Sequence, residues 1–506
     1  MFDKVFIANR GEIAVRVARA CRLLGVESVA AFSDADADAV HVAAADGAAR
    51  VGPAEALRSY LDVEAVVDAA VATGCDAVHP GYGFLAENAA LAEACAAAGI
   101  VFIGPPVEAL RLAGDKVAAR TTMHAAGVPV VPGTFEASND PAELKVAADD
   151  LGYPLLIKAC GGGGGTGMRK VAAADAIEAA LGEAAAEAGS AFGDASVYLE
   201  KLIAPVRHVE VQVLADTHGS VVAMGERECS IQRRHQKVIE ESPSPAVSHD
   251  VRDALCKTAC DAARAAGYVN AGTVEFLLKD DGTFYFLEMN ARIQVEHPVT
   301  EMRFGADLVA WQLRVAVGEA LPPDLGWLEP RGWAIEGRLY AEDPDLGLLP
   351  SAGRILHAQL PSGPGIRVDA GIASGSRVPL EYDPILAKII AWGEDRETAR
   401  RRLDRALAET VVLGVASNAA FLRRILAHPD FVEGRTHTAL LEDEIMPILE
   451  GPTDDAREAA LVVAALALDG ALGATEVASG AKGGPAAVPG PWETLRGKRF
   501  PAGGKP

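Results

Sequence analysis

The sequence predicts a mixed α/β and α+β chain: a doubly wound N-terminal α/β domain, a middle region with a glycine-rich loop, and a β-rich C-terminal region. Three observations predict it. Strand-like and helical patterns alternate through residues 1–115, a buried strand runs into five glycines at 161–165, and short β-like segments crowd the stretch from Trp333 to Trp392. At 506 residues the chain is long enough for three or four domains with their own cores. Half of its residues are hydrophobic, yet no apolar run approaches the ~20 residues of a membrane span. Met1-Phe2-Asp3-Lys4 leads straight into strand-like Val5–Ala8, so no signal peptide is expected. A net charge of −23 argues against nucleic acid as a general partner. The seven cysteines show no metal-ligand spacing; Cys256 and Cys260 lie four apart with no Cys or His cluster beside them, which suits reduced thiols in a cytoplasmic protein.

Lys4–Ala8 reads as a buried strand, and Glu12–Leu24 carries helical spacing at Ile13, Val17, Ala20 and Leu24. Glu27–Phe32 is the next strand, and Ala77-Val78-His79 ends another in the Gly/Pro loop Pro80–Gly83. Asn9-Arg10-Gly11 lacks the GxGxxG spacing of dinucleotide binders. Ligands of doubly wound sheets gather at the carboxyl ends of strands, which makes the 79–84 loop a candidate site wall; a plain turn is the competing reading.

A second region begins near Lys116 and is expected to run to about 330. Leu155–Cys160 is a strand entering Gly161–Gly165, followed by Thr166-Gly167-Met168-Arg169. Glycine allows close backbone approach, and successive N–H groups form a nest for anions. The Lys-Ser/Thr of a Walker A loop does not follow, so a mobile phosphate-covering flap is favoured over a linker. Val197–Ile203 reads as a strand whose Glu200 and backbone face an adenine edge, a weak signal by itself. Gln232–Lys237, with Arg233, Arg234, His235 and Lys237, is the densest basic run of the chain: a solvated turn or an anion site.

The most informative stretch is Glu288–His297. Glu288, Asn290, Arg292, Gln294 and Glu296 alternate with Met289, Ala291, Ile293 and Val295, so an extended segment would set all five polar groups on one face. Thr273–Leu278 and Thr283–Glu288 read as a hairpin around Lys279-Asp280-Asp281-Gly282. Pairing Leu278 with Thr283 puts Glu275 opposite Phe286 and leaves Glu275 and Glu288 as diagonal neighbours roughly 7–8 Å apart. Two carboxylates and an amide oxygen suit Mg²⁺ or Mn²⁺ carrying nucleotide phosphates. Further on, Ala334–Tyr340 alternates as a strand, and Arg396–Glu409 and Ala419–Leu426 read as helices. Ala456–Leu472 reads as an Ala-rich helix, and residues 451–506 as a whole as an Ala/Gly/Pro-rich tail or linker.

Taken together, Ile7–Ala14, His79–Leu85, Gly114-Asp115-Lys116, Gln232–Val238, Glu288–Glu301 and Tyr382-Asp383-Pro384 resemble the biotin carboxylase component of biotin-dependent carboxylases, of the ATP-grasp superfamily. The resemblance covers about residues 2–447. It implies an N-terminal domain over 1–115, an ATP-grasp domain over 116–330 with a lid at about 131–203, and a C-terminal domain over 333–447. It implies ATP, Mg²⁺ or Mn²⁺, and biotin as a substrate carried on a partner. The ATP-binding residues it implies are Lys116, Lys158, Gly163, Gly164, Gly165, Glu200, Lys201, Ile203, His208, His235 and Leu277. Glu275, Glu288 and Asn290 would hold metal; Lys237, Arg292, Gln294 and the Val295 backbone would hold bicarbonate; Tyr82 and Arg338 would meet biotin. Lys237, Arg292, Glu296 and Arg338 are the implied catalytic set, with Glu296 as the base.

Two departures from that family stand out. Thr166 replaces the usual Arg or Lys of the glycine loop, and Gly337 and Trp333 replace a commoner Cys and His, both expected to alter packing around the biotin site. A catalytically reduced scaffold and an ATP-grasp carboxylate–amine ligase are the alternatives; the ligase explains neither Lys237 nor the 292–296 run. The expected partners are a biotin carboxyl carrier protein or domain and a carboxyltransferase, in a homo-oligomer or larger complex, with no nucleic acid and no membrane. The acceptor biotin is expected on another polypeptide, because no methionine follows Met446 to form a Met-Lys-Met-like turn.

Overall fold

Apolar strands alternating with amphipathic helices build a parallel five-stranded sheet at the N-terminus. Its strands are β1 (Lys4–Ile7), β2 (Glu27–Ser33), β3 (Gly47–Gly52), β4 (Ala77–His79) and β5 (Val101–Phe102), in the order β3-β2-β1-β4-β5. The strand order reverses between β1 and β4, so the loops leaving those two strands flank a crevice. Asn9, just after β1, donates from Nδ2 to the carbonyls of Pro80 and Tyr82, each at 2.7 Å. Gly81 has φ +64°, and a Cβ there would meet the Asn9 amide nitrogen at 2.8 Å, so the tight stitch requires glycine. Helix Gly11–Leu24 begins one residue earlier than its spacing suggests; it buries Ile13, Val17, Ala20 and Cys21 and stops at the left-handed Gly25.

The computed structural model describes residues 1–446 apart from 161–166, 324 and 326–328, together with residue 462. The five glycines, Thr166 and, Val462 excepted, the helix and tail expected beyond 450 therefore lie outside the described residues. Strands β6 (Leu155–Ala159), β7 (Arg169–Val171) and β8 (Val197–Lys201) form a small antiparallel sheet in the order β7-β6-β8. Helices Pro141–Leu151 and Ile177–Phe192 close a separate core over it, with Leu144, Leu155, Ile157, Ile177, Leu181 and Leu199 inside.

The largest sheet has eight strands. Strands β9 (Arg207–Ala215), β10 (Val221–Arg233), β11 (Gln236–Ser242), β12 (Asn270–Leu278), β13 (Phe284–Asn290) and β14 (Trp333–Tyr340) run in the order β13-β12-β9-β10-β11-β14. Strands Ile385–Gly393 and Ile366–Ala370 complete it beyond β14. One sheet thus spans the segments 116–330 and 333–447. The basic run folds as a two-residue hairpin between β10 and β11: Arg234 and His235 take φ of 47° and 66°, a conformation usually given to Asn-Gly.

Two sequence expectations need correction. Leu278 pairs with Phe284, not Thr283, and a β-bulge between Glu275 and Phe276 sets Glu275 directly opposite Glu288. The bulge absorbs Leu287, which a regular register would have placed across from Glu275. The polar alternation of 288–296 is not one strand either. β13 ends at Asn290, residues 291–296 bend and turn, and a helix starts at His297. Pro298 in the first helical turn suits that ending, since proline lacks the N–H a strand ladder needs.

Gly337 lies inside β14, and a Cβ there would sit 3.4 Å from Leu422 Cδ1 and 3.9 Å from Leu403 Cδ2. Those leucines belong to helices Ala419–Ala427 and Arg396–Glu409, which cover the sheet face opposite Arg338. Trp333 shares the Gly337 face by alternation and donates from Nε1 to Glu241 at 2.8 Å. Gly337 and Trp333 therefore both lie on the face away from Arg338, contrary to expectation. Glycine in a strand interior costs about 0.5–1 kcal/mol relative to alanine. Gly337→Ala is expected to raise the melting temperature by a few degrees while leaving catalytic parameters unchanged; calorimetry beside steady-state assays checks both.

Candidate functional site

One ammonium gathers the site. Lys237, at the start of β11, reaches Glu275 on β12 at 2.8 Å, Glu296 in the turn at 2.6 Å, and Glu210 on β9. Gln294 accepts from Lys237 at 3.5 Å and donates to Glu275 at 2.8 Å. The hairpin explains the reach of Lys237, for the tight turn at 234–235 brings the strand back beside β10 with Lys237 facing inward. Burial alone would push Lys237 down, but the charges of Glu210, Glu275 and Glu296 outweigh it and hold its pKa well above the usual lysine range.

Arg338 closes the other side. Its Nη2 donates to Glu296 Oε2 at 3.0 Å and its Nε to Glu240 at 2.5 Å. Burial opposes the ionised form of Glu296, yet Lys237, Arg338 and Arg227 keep that carboxyl below the usual range. Glu296 is therefore a carboxylate at neutral pH, clamped between two cations at the head of helix His297–Phe304. Glu240, buried and next to the Glu296 charge but opposed by Arg338, is pushed up to about 7.

Arg292 is partly exposed and is oriented by Glu87 of the N-terminal segment: Nε donates to Glu87 at 3.1 Å, and Glu87 also accepts the Ala291 N–H at 2.9 Å. Its Nη2 donates to Asn290 Oδ1 at 3.1 Å. Tyr82 donates its hydroxyl to Glu12, and burial and that neighbouring charge raise its pKa.

The nucleotide candidates divide. His208 and Leu277 are direct cross-strand partners, and His208 Nε2 lies 3.0 Å from Glu275. Lys116 opens helix Lys116–Ala125 and acts electrostatically on Glu288. Lys158 is held by Glu200 at 2.5 Å, and Arg120 takes the other Glu200 oxygen at 3.1 Å, so the Glu200 carboxylate faces two cations rather than a free edge. Lys201 donates to the Tyr153 carbonyl at 2.9 Å, and Ile203 follows β8. His235 sits exposed at the hairpin tip. Gly163, Gly164 and Gly165 are outside the described residues.

The residues present fit a divalent cation. Glu275 and Glu288 stand opposite each other, and burial together with the Glu275 charge raises the Glu288 pKa, a repulsion that a cation would relieve. Asn290 adjoins them, its Oδ1, the oxygen that could face a cation, accepting from Arg292 Nη2. Sequence reading missed Glu210, Arg227, Glu240, Glu87 and Lys388. Arg227, fully buried, binds Glu210, Gln212 at 2.8 Å, Thr273 and Thr300 at 3.0 Å, and Gln294 at 3.4 Å. A signal existed for Glu210: His208, Glu210 and Gln212 alternate with Val209, Val211 and Val213, a polar face on one strand.

Paired carboxylates and a third carboxylate clamped by Lys237 and Arg338 suit an enzyme that activates a small oxyanion with a nucleotide. Family models match three consecutive segments: Biotin carboxylase, N-terminal domain, over 1–110; Carbamoyl-phosphate synthase L chain, ATP binding domain, over 115–323; and Biotin carboxylase C-terminal domain over 336–443. The chain is 48% identical over 442 residues to a biotin carboxylase of a Nostoc species, covering 87% of this chain and 99% of that one. It is 47% identical to the mitochondrial methylcrotonoyl-CoA carboxylase subunit alpha of Glycine max, over 87% of this chain and 60% of that longer relative. Among solved structures, a biotin carboxylase–β,γ-ATP complex from Campylobacter jejuni matches with TM-score 0.85 and 42% identity, over 87% of this chain and 99% of that one. The biotin carboxylase domain of a Hydrogenobacter thermophilus 2-oxoglutarate carboxylase, with MgADP, ADP and bicarbonate, matches with TM-score 0.86 and 42% identity, over 89% of this chain and 100% of that one. The chain belongs to the biotin carboxylase family. No helix among the described residues is long and apolar enough to cross a membrane.

The His208–Glu275 pair carries a pH signature. Burial disfavours the imidazolium, but the Glu275 charge outweighs it and raises the His208 pKa above 6.5. A raised folded-state pKa gives stability that is full below the unfolded value and lost as pH rises through the folded one. The melting-temperature advantage of metal-free wild type over His208→Gln is therefore expected to shrink as pH rises above the ordinary histidine value. A gap that widens instead would contradict the pairing.

Proposed function

We propose that this protein carboxylates biotin with bicarbonate, driven by ATP, and that segments 1–115, 116–330 and 333–447 each supply one wall of the site. The observation that carries the proposal is the convergence on Lys237 of Glu296, a candidate base, and Glu275, a candidate metal ligand, with Arg338 on the far side of Glu296. Lys237, Arg292, Gln294 and the Val295 backbone hold bicarbonate. Glu296 takes its hydroxyl proton as the freed oxygen bonds to the γ-phosphorus of ATP; the bond from that phosphorus to the bridging oxygen breaks, leaving ADP and carboxyphosphate. Carboxyphosphate then splits into CO₂ and phosphate, the phosphate accepts the biotin N1 proton, and N1 attacks CO₂ while Arg338 neutralises the ureido oxygen.

A depressed carboxyl pKa makes Glu296 a weak base in isolation. The driving force therefore rests on Lys237 and Arg292, which stabilise the negative charge that develops on the carbonate. Mg²⁺ or Mn²⁺ held by Glu275 and Glu288, with Asn290 adjoining, supplies charge neutralisation of the ATP phosphates when bound. Lys116, Lys158, His208 and Leu277 line the nucleotide, with Lys158 leaving Glu200 to meet phosphate. Segment 131–203, with its own small core, acts as the lid that keeps water from carboxyphosphate. The biotin sits on a carrier protein or domain, and a carboxyltransferase passes the carboxyl group on; both are partners of this chain.

ATP hydrolysis is expected to require bicarbonate and Mg²⁺ and to rise with free biotin. Stimulation by an amine instead of biotin would point to a carboxylate–amine ligase, and bound ATP without turnover to a scaffold. Glu296→Gln is expected to slow turnover by about 10²–10⁴ with ATP affinity within a few-fold, since it removes the base and keeps the shape. Arg338→Gln is expected to slow both assays, because Arg338 also holds Glu296, but biotin carboxylation more than bicarbonate-dependent ATP hydrolysis. Equal losses in both assays would break that division of roles.

A further inference from the structure

Lys388 lies in strand Ile385–Gly393, directly between Arg338 on β14 and Asp369 on the outer strand, and it is fully buried. A lysine in that position needs partners for its ammonium. It finds three, one from each segment of the chain. Nζ donates to the Val295 carbonyl at 2.9 Å, lies 3.3 Å from Glu12 Oε2, and is 4.0 Å from Asp369 Oδ2. Glu12 in turn accepts the Tyr82 hydroxyl, and the Tyr82 ring centroid is 5.9 Å from the same Nζ.

We propose that Lys388 is a positioning residue for the carboxylation site: through Val295 it sets the peptide plane that leads into Glu296, and through Glu12 it sets Tyr82. The proposal rests on the assignment of Val295 to bicarbonate and Tyr82 to biotin made above. Residues 291–296 belong to no strand, so this turn is held by side chains, and its Val295 carbonyl by Lys388. The Lys388 ammonium is a charge-assisted donor to an uncharged carbonyl, which makes it a firm one. It also ties the Val295 turn to Tyr82 across the crevice, so a shift of one wall moves the other. A purely structural ion pair would need Glu12 and Asp369 alone; the bond to Val295 is the part that reaches the chemistry.

The test uses the full chain with free biotin and measures KM for ATP, bicarbonate and biotin separately, beside the melting temperature. Lys388→Met is expected to raise KM for bicarbonate and biotin by about 10-fold or more, with KM for ATP within about two-fold, as misplacement of a reacting group without loss of the nucleotide site. Glu12→Gln, which keeps shape and removes charge, is expected to move the same two constants less. Lys388→Met/Glu12→Gln removes the buried charges together and serves if the single methionine variant fails to fold. Asp369→Asn, which perturbs the lysine away from Val295, is expected to lower the melting temperature without changing the ratio of the three constants. Equal changes in all three constants for the methionine variants, or a lowered melting temperature with unchanged bicarbonate KM, would overturn the proposal. Arg292→Ala separates the two levels: a raised bicarbonate KM there with none in Lys388→Met defeats the role of Lys388 alone. An unchanged value in Arg292→Ala defeats the bicarbonate pocket and the Lys388 role together.

Discussion

Keeping several like charges dry in one place is the constraint on which this site depends. Glu210, Glu275 and Glu296 are buried around one ammonium, and carboxylates so placed raise each other's pKa unless cations intervene. Lys237 meets all three, Arg227 takes Glu210 from behind, and Arg338 takes Glu296 from the side. The arrangement is strong only when complete, for removing one partner of a buried pair strands the other charge. Glu210 and Glu275 sit on central strands, and Glu296 in the turn that heads helix His297–Phe304. Each sheet strand fixes its side chain before substrate arrives, so the field felt by an incoming anion is already organised.

The buried acids also play different parts. Glu275 is held by Lys237, His208 and Gln294, whereas Glu288, its direct neighbour across the hairpin, has its proton affinity raised by that same carboxylate. A site of this kind is incomplete without positive charge between the two acids. Glu296, by contrast, is compensated by Lys237, Arg338 and Arg227. The asymmetry separates a half of the pocket short of positive charge from a half balanced by protein cations, although Lys237 serves both.

Much of this was legible in the residues themselves. The Glu288–Glu296 run, the Glu275 hairpin and Lys237 at the end of a basic cluster drew attention to groups that the fold brings within hydrogen-bond range. The details that escaped share a physical cause. A period-two pattern marks a strand only while the backbone stays extended, and Pro298 with a helix start cut the pattern short. A bulge is one extra residue with no compositional signature of its own, so Leu287 gave no warning that Glu275 and Glu288 would pair. Glu12, Glu87, Glu240 and Lys388 have partners that lie far off in sequence, and Arg227 is masked by its acidic neighbours Glu226 and Glu228, so only the folded chain reveals them. Gly337 and Trp333 were noticed because they are unusual, yet the face they occupy follows from strand parity and shows them remote from the chemistry.

The shared eight-stranded sheet has a consequence for how this molecule comes into being. β11 is completed on its far side only by β14, almost a hundred residues later, so until Trp333–Tyr340 leaves the ribosome that strand is an open edge. An exposed edge is a template for pairing with foreign strands, and the half-made protein carries one beside its most charged side chains. The segments 116–330 and 333–447, which look separable in a sequence, are thus one mechanical object. A break between them would leave two unfinished sheets, and the chain is vulnerable to mispairing for as long as synthesis separates those strands in time.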